Sequence, residues 1–369
     1  MDRPVIDHRS AEFAALGKDV LDGMQRLLCT SSPVIIFPSS GSGAWESAIV
    51  NTLSRGDRVV LCETGHFSQL WGRVAERFGL QVDYLDGNWR TGVDPDRLYQ
   101  KIRGEKGRGI KAVMVVHNET STGATSRIAA IRAAMNACDH PALLLVDAVS
   151  SLGSIDYRHD EWGVDVTVSG SQKGLMLPPG LSFNVISNKA LEAQKTADLP
   201  RSYWDWNEML RYNEASFFPY TPATTLLYGL QESLKMLFEE GLRNVFTRHD
   251  RHGRATRAAV EGWGLELVCT DAREYSSAVT AVFTPEGHDA DSLRRVILEN
   301  FDLSLGAGLS KLSGKVFRIG HLGSLNDLML AGTLSGIEMG MKIAGVPHKA
   351  AGLKAALDSL VATVDRGEV

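Results

Sequence analysis

A chain of 369 residues with 44% hydrophobic and 22% charged residues is long enough for two packed units and lies among ordinary globular proteins, not disordered or fibrous ones. Its net charge of −5 gives no general pull toward nucleic acid or an anionic membrane. Cys29, Cys62, Cys138 and Cys269 are scattered without CxxC or Cys/His spacing, which argues against a metal ribbon or a disulfide framework and fits reduced thiols in a cytoplasmic setting.

The opening MDRPVIDHRS mixes acid and base without an apolar core, so no signal peptide is expected. From Ala11 to Leu28 the apolar residues Phe13, Leu16, Val20, Leu21 and Met24 fall near helical spacing. The longest uncharged run, Leu27 to Trp45, holds Pro33, Pro38, Gly41, Gly43 and five serines, so it cannot be a continuous membrane helix. Within it, Val34 to Phe37 reads as a strand, followed by the turn PSSGSG and a helix from Ala44 to Leu53. Strand, Gly/Ser turn and helix in that order point backbone N–H groups and a helix N-terminus at an anion, although a plain loop reads the same way in isolation.

Further strands are expected at Asp57 to Cys62, Gln81 to Leu85 and Ile110 to Val116. Helices are expected to start at Gly65-His66-Phe67-Ser68 and at the N-cap and first-turn pair Asp94-Pro95, the latter carrying Leu98 and Ile102, and to run from Arg127 to Cys138. The third strand runs into the polar cluster HNETSTG, where His117 and Glu119 lack a second His or Cys at ligand spacing, so no metal site is expected. Two buried strands follow, Leu143 to Val146 and Val164 to Val168. The first leads into Asp147 and the second into a small-residue turn presenting Lys173. With Phe183 to Ile186 the pattern gives seven strands alternating mostly with helices, which predicts a doubly wound sheet. Asp147 and Lys173 both fall at carboxyl ends of strands, the edge where open α/β sheets bind ligands. A lysine in such a turn suits Schiff-base chemistry with an aldehyde cofactor, and pyridoxal phosphate also needs an acid opposite its ring nitrogen.

Beyond Lys189 the pattern breaks in the aromatic stretch LPRSYWDW, read either as a packed connection or as a lining of the site mouth, with Arg201 and Arg211 as basic candidates there. One long helical region is expected from Leu226 to Gly262, bridging to a smaller α/β unit. That unit should hold strands at Ala278 to Phe283 and Val316 to Ile319, and helices at Asp291 to Asn300, Asn326 to Lys342 and His348 to Val364. Arg318 inside an apolar strand needs a partner. It is either a structural salt bridge or a planar fork for a substrate carboxylate.

The segments LLLVDAVSSLGS, SGSQKG, HNETSTG, FPYTP and FRIGHLG resemble the class V (fold type I) pyridoxal-phosphate aminotransferases, in the serine–glyoxylate and alanine–glyoxylate branch, over nearly the whole chain. The resemblance implies a large cofactor domain with a mostly parallel seven-stranded sheet over residues 1–246, and a smaller C-terminal α/β domain over 247–369. It implies that Lys173 carries pyridoxal 5′-phosphate, that Asp147 faces the ring nitrogen and that Phe67 stacks on the ring. Ser40, Gly41 and Ser42 would hold the phosphate, with Thr120, Val149 and Gln172 also at the cofactor. Arg318 would bind the substrate carboxylate, and Thr221 would reach the partner subunit's phosphate in a homodimer. The implied reaction moves an amino group from a small L-amino acid to glyoxylate, serine being the first choice of donor and aspartate the rival.

Three other readings compete with this one. A cysteine desulfurase needs a histidine before the lysine and a loop cysteine, whereas Gln172 precedes Lys173 and Cys269 lies in the strand-like GLELVC. A nicotinamide dehydrogenase needs a glycine fingerprint and a ribose-binding acid that are missing at their spacing. The family carries a PGPT-type segment upstream of DHRS that this sequence does not show. A catalytically silent binding protein of the same fold is therefore the alternative of another class.

Overall fold

The computed structural model describes residues 3–105 and 109–364. Its strands in chain order are β1 (Val34–Phe37), β2 (Arg58–Cys62), β3 (Gln81–Leu85), β4 (Ile110–Val116), β5 (Asn118–Glu119), β6 (Ala124–Thr125), β7 (Leu143–Asp147), β8 (Val166–Gly170), β9 (Ser182–Ile186), β10 (Glu266–Leu267), β11 (Val279–Phe283), β12 (Gly306–Ala307) and β13 (Val316–Gly320). Seven of them form one sheet in the order β1-β9-β8-β7-β4-β2-β3. β9 pairs antiparallel with both neighbours and every other pairing is parallel, so six strands share a direction. β1, β7, β8 and β9 are buried at every residue, as expected for strands covered by helices on both faces, whose apolar runs do not alternate. The expected mostly parallel, seven-stranded α/β architecture is what the chain adopts. The first helix, Ala11–Leu27, is capped by Ser10 and buries Phe13, whose ring lies 6.3 Å from that of Phe217 and 6.1 Å from that of Phe218.

The expected single helix from Leu226 to Gly262 is two helices, Thr224–Glu240 and Leu242–Trp263, separated at Gly241, whose φ of +85° suits only glycine. The second of these runs between two apolar cores. Val245 belongs to the core around the large sheet, while Ala255, Ala259, Val260 and Trp263 belong to another with Phe317, Leu334 and Ile337. That second core lies under an antiparallel sheet in the order β10-β11-β13-β12, in which β10 falls within the strand-like GLELVC and only β12 has no counterpart in the sequence pattern. The last helix begins at Gly352, not His348. The C-terminal end of the 247–369 segment lies outside the described residues.

Candidate active site

Because β9 alone runs against the rest, the carboxyl ends of β1, β2, β4, β7 and β8 share one edge of the sheet. A cavity of about 150 Å³ opens there, lined by Ser40, Gly41, Ser42, Phe67, Thr120, Asp147, Val149, Gln172 and Lys173. Residues separated by as many as 133 positions are thus gathered by topology alone, since each follows the carboxyl end of a strand.

Asp147 closes β7 and is buried. Its Oδ1 accepts from the backbone N–H of Val149 at 2.7 Å and its Oδ2 from Nε1 of Trp45 at 2.7 Å. Burial pushes its pKa up to about 7 against the pull of those two bonds, and the charge of Glu119 adds to the rise. Among the described residues no cation forms a salt bridge with it, so the carboxylate is desolvated without a countercharge from the protein. Lys173 lies three residues beyond the end of β8 and is half-buried. Burial lowers its pKa, and the positive charge of Arg318 lowers it further.

At the other end of the cavity Ser40 is the N-cap of helix Gly41–Thr52, yet its hydroxyl makes no capping bond. The N–H groups of Gly41 and Ser42 come before the intrahelical ladder begins, so this helix start presents donors to the cavity. Gly41 is required there, because a Cβ would sit 2.6 Å from Cγ2 of Val149. The buried Oε1 of Gln172 has no hydrogen-bond partner among the described residues. Across the cavity, Glu119 accepts from the N–H groups of Phe67 at 3.3 Å, Ser68 at 3.1 Å and Ser121 at 3.1 Å. Glu119 therefore caps the helix His66–Arg77 and fixes the backbone of Phe67.

Arg318 sits on β13 and does not line this cavity, but it reaches the cavity's rim. Its Nε donates to the carbonyl of Ala307 at 2.7 Å and its Nη1 to that of Thr120 at 3.2 Å. Among the described residues it has no salt bridge, and its Nη2 makes no hydrogen bond. Two carbonyls thus orient the guanidinium without neutralising it. Thr221 is exposed and lies in a separate cavity with His8, Arg9 and Tyr220, so a single chain does not bring it to Lys173.

The structure selects between the readings left open for the site mouth. The aromatic stretch packs behind the site: Trp206 is fully buried with Nε1 donating to Ser47 Oγ at 2.8 Å, and Trp204 lies 4.8 Å from the Phe37 ring. Arg201 donates to the carbonyls of Val50, Ala197 and Gln194, and Arg211 faces Glu208 at 3.5 Å, so neither is offered to the cavity. Four lining residues are not among those the sequence singles out: Trp45, Val116, Asn118 and Ser150. Trp45 stands four residues after Gly41 on one helix, one turn from the anion-facing end, and that spacing was the available signal.

The family model for class-V aminotransferases matches residues 4–318 of this chain. The chain belongs to the class-V aminotransferases. Among relatives, the serine–glyoxylate aminotransferase of Methylorubrum extorquens is 48% identical over 92% of this chain and 86% of its own. The L-aspartate–glyoxylate aminotransferase of Paracoccus denitrificans is 47% identical over 94% of this chain and 88% of its own. The crystal structure of pyridoxamine–pyruvate aminotransferase from Mesorhizobium loti superposes with a TM-score of 0.90 at 28% identity, covering 98% of this chain and 92% of that one.

The residues of this aminotransferase fit pyridoxal 5′-phosphate, its cofactor. A helix start with uncapped donors suits a phosphate, and a buried acid without a countercharge suits a protonated ring nitrogen. Lys173 lies in the same cavity with its amine partly desolvated.

Proposed function

We propose that this aminotransferase transfers the amino group of a small L-amino acid, serine before aspartate, to glyoxylate, giving glycine and an oxo acid. The observation that carries this reading is the placing of Lys173, Asp147 and an anion-facing helix start around one cavity, together with the relatives that act on glyoxylate. Pyridoxal phosphate supplies an aldehyde that condenses with amines and a ring that takes up the electrons of a broken Cα–H bond. Ser40, Gly41 and Ser42 would hold its phosphate, and Phe67, Thr120, Val149 and Gln172 would contact the rest of it. Asp147 keeps the ring nitrogen protonated. Lys173 would carry the cofactor's aldehyde, and its Nζ would serve as the base at the substrate's Cα–H. Arg318 offers Nη2 to the substrate carboxylate, held at a fixed angle by Ala307 and Thr120.

The working form in this reading is a homodimer in which Thr221 completes the partner's phosphate site, its exposure in a single chain supporting that role. The chain divides into domains at 246/247, close to where the helix Leu242–Trp263 leaves one core for the other. Among the described residues no helix is long and apolar enough to cross a membrane. Four free cysteines support a reducing, cytoplasmic setting.

The deciding experiment assays serine and aspartate separately against glyoxylate with the purified, cofactor-loaded protein. Serine turnover at the higher kcat/KM is expected, and the reverse ranking makes aspartate the donor. Protein that gains no visible band with the cofactor, and fixes none on Lys173 after borohydride, points to the silent alternative. Arg318→Gln should raise KM for both substrates by roughly 10²-fold with a smaller change in kcat, since it removes a charge-assisted carboxylate contact. Unchanged KM values would take Arg318 out of substrate binding.

A further inference from the structure

We propose that Trp45 is a positioning residue that fixes and charges the ring-facing acid, its indole N–H holding Oδ2 of Asp147. The inference rests on the assignment of Asp147 to the cofactor's ring nitrogen. Of the two donors to this carboxylate, the N–H of Val149 is only two residues away, a contact any aspartate at the start of such a turn makes. Trp45 comes from another element, and its 2.7 Å bond is what sets the rotation of the carboxyl group about its last torsion. The indole is 3% exposed and stacks on Trp71 with ring centroids 5.9 Å apart and planes within 15°, so its N–H has one direction to point.

An indole N–H donates and cannot accept. Each oxygen of Asp147 therefore faces a donor that needs a lone pair, and neither neighbour stabilises a proton on the acid. The other titratable groups nearby are committed elsewhere: Glu119 to the helix start at Phe67 and Ser68, Tyr157 to Thr167 at 2.7 Å. The same helix presents Gly41 and Ser42 to the cavity, so one rigid element holds those donors and orients the acid.

The test is a double-mutant cycle on cofactor affinity, with Trp71→Phe as the packing control. Nε1 of Trp71 has no partner among the described residues, so that change alters the stack and leaves Asp147 untouched. Trp45→Phe should weaken binding of pyridoxal phosphate to the cofactor-stripped protein about tenfold or more, the effect of losing a hydrogen bond to a charged group. In the Asp147→Asn background the same change should cost less than twofold. Equal losses in both backgrounds, or an equal loss from Trp71→Phe, would overturn the inference as a packing effect. Independently of whether Trp45→Phe folds, one ¹⁵N-indole signal of the holoenzyme should lie downfield and move in Asp147→Asn, and a spectrum without such a signal overturns it. If Asp147→Asn itself leaves cofactor affinity unchanged, the assignment of Asp147 falls and this inference with it. If only Trp45→Phe is silent, this inference falls alone.

Discussion

Lys173→Ala should reduce turnover with every donor by about a million-fold, the scale seen when a group that acts both covalently and in proton transfer is removed. Two properties of Lys173 make the loss so large. Among the described residues the amine is the only lysine nitrogen lining the cavity, so no neighbour there can replace it. Burial and the positive charge of Arg318 both lower its pKa, so more of it is the free base near neutral pH than for an exposed lysine. That second property has its own signature. In Arg318→Gln one of the two causes is gone, Lys173 becomes more basic, and the acid limb of the kcat profile, which reports the substrate-bound enzyme with the amine free, should move to higher pH. A limb that stays in place, or turnover by Lys173→Ala within tenfold of the parent, would remove Lys173 from the role of base.

Asp147→Asn should cost roughly 10³-fold in kcat, or ~4 kcal/mol, because the variant no longer opposes the ring nitrogen with a negative charge in a water-poor site. A stability effect should accompany it. Both oxygens of Asp147 accept from N–H groups at 2.7 Å, and an asparagine must turn its own NH₂ toward one of those donors. The pH dependence has a definite sign. In the cofactor-free protein the pKa of Asp147 is raised from 3.8 to about 7. The folded state therefore holds a proton there between about pH 4 and 7 that the unfolded chain has released. This contribution is fully present at the acid end of that window and is lost as pH rises through 7. Urea unfolding at pH 5 and pH 8 should show the stability advantage of the parent over Asp147→Asn shrinking toward the alkaline end. An advantage that grows instead would mean the acid is ionised by a countercharge of the protein itself.

Several features of the site were legible because they are local. Pro38 to Gly43 reads as an anion-facing helix start from composition and position in the chain. The apolar runs before Asp147 and Lys173 show that both residues follow buried strands, and hence share a sheet edge. Arg318 stands out as a charge within an apolar strand. The break at Gly241 was not legible, since apolar spacing continues through it and only the backbone angle reveals the turn. The strand β12, of two residues, is not legible because so few residues carry no periodic signal.

Along the sequence, Trp45 and Asp147 lie 102 residues apart, and nothing in the spacing of either shows that an indole would meet a carboxylate. The same holds for Arg318, whose two carbonyl partners come from Thr120 and Ala307 on separate elements. Arg201 shows the converse: its charge suggested a ligand, and packing spends it on three backbone carbonyls. Side-chain chemistry and strand pattern are properties of the chain and were readable there: the fold class, the lysine, the acid and the anion-facing turn. Which donors reach which acceptors depends on how the sheet order β1-β9-β8-β7-β4-β2-β3 folds distant segments together, and only the tertiary structure decides that.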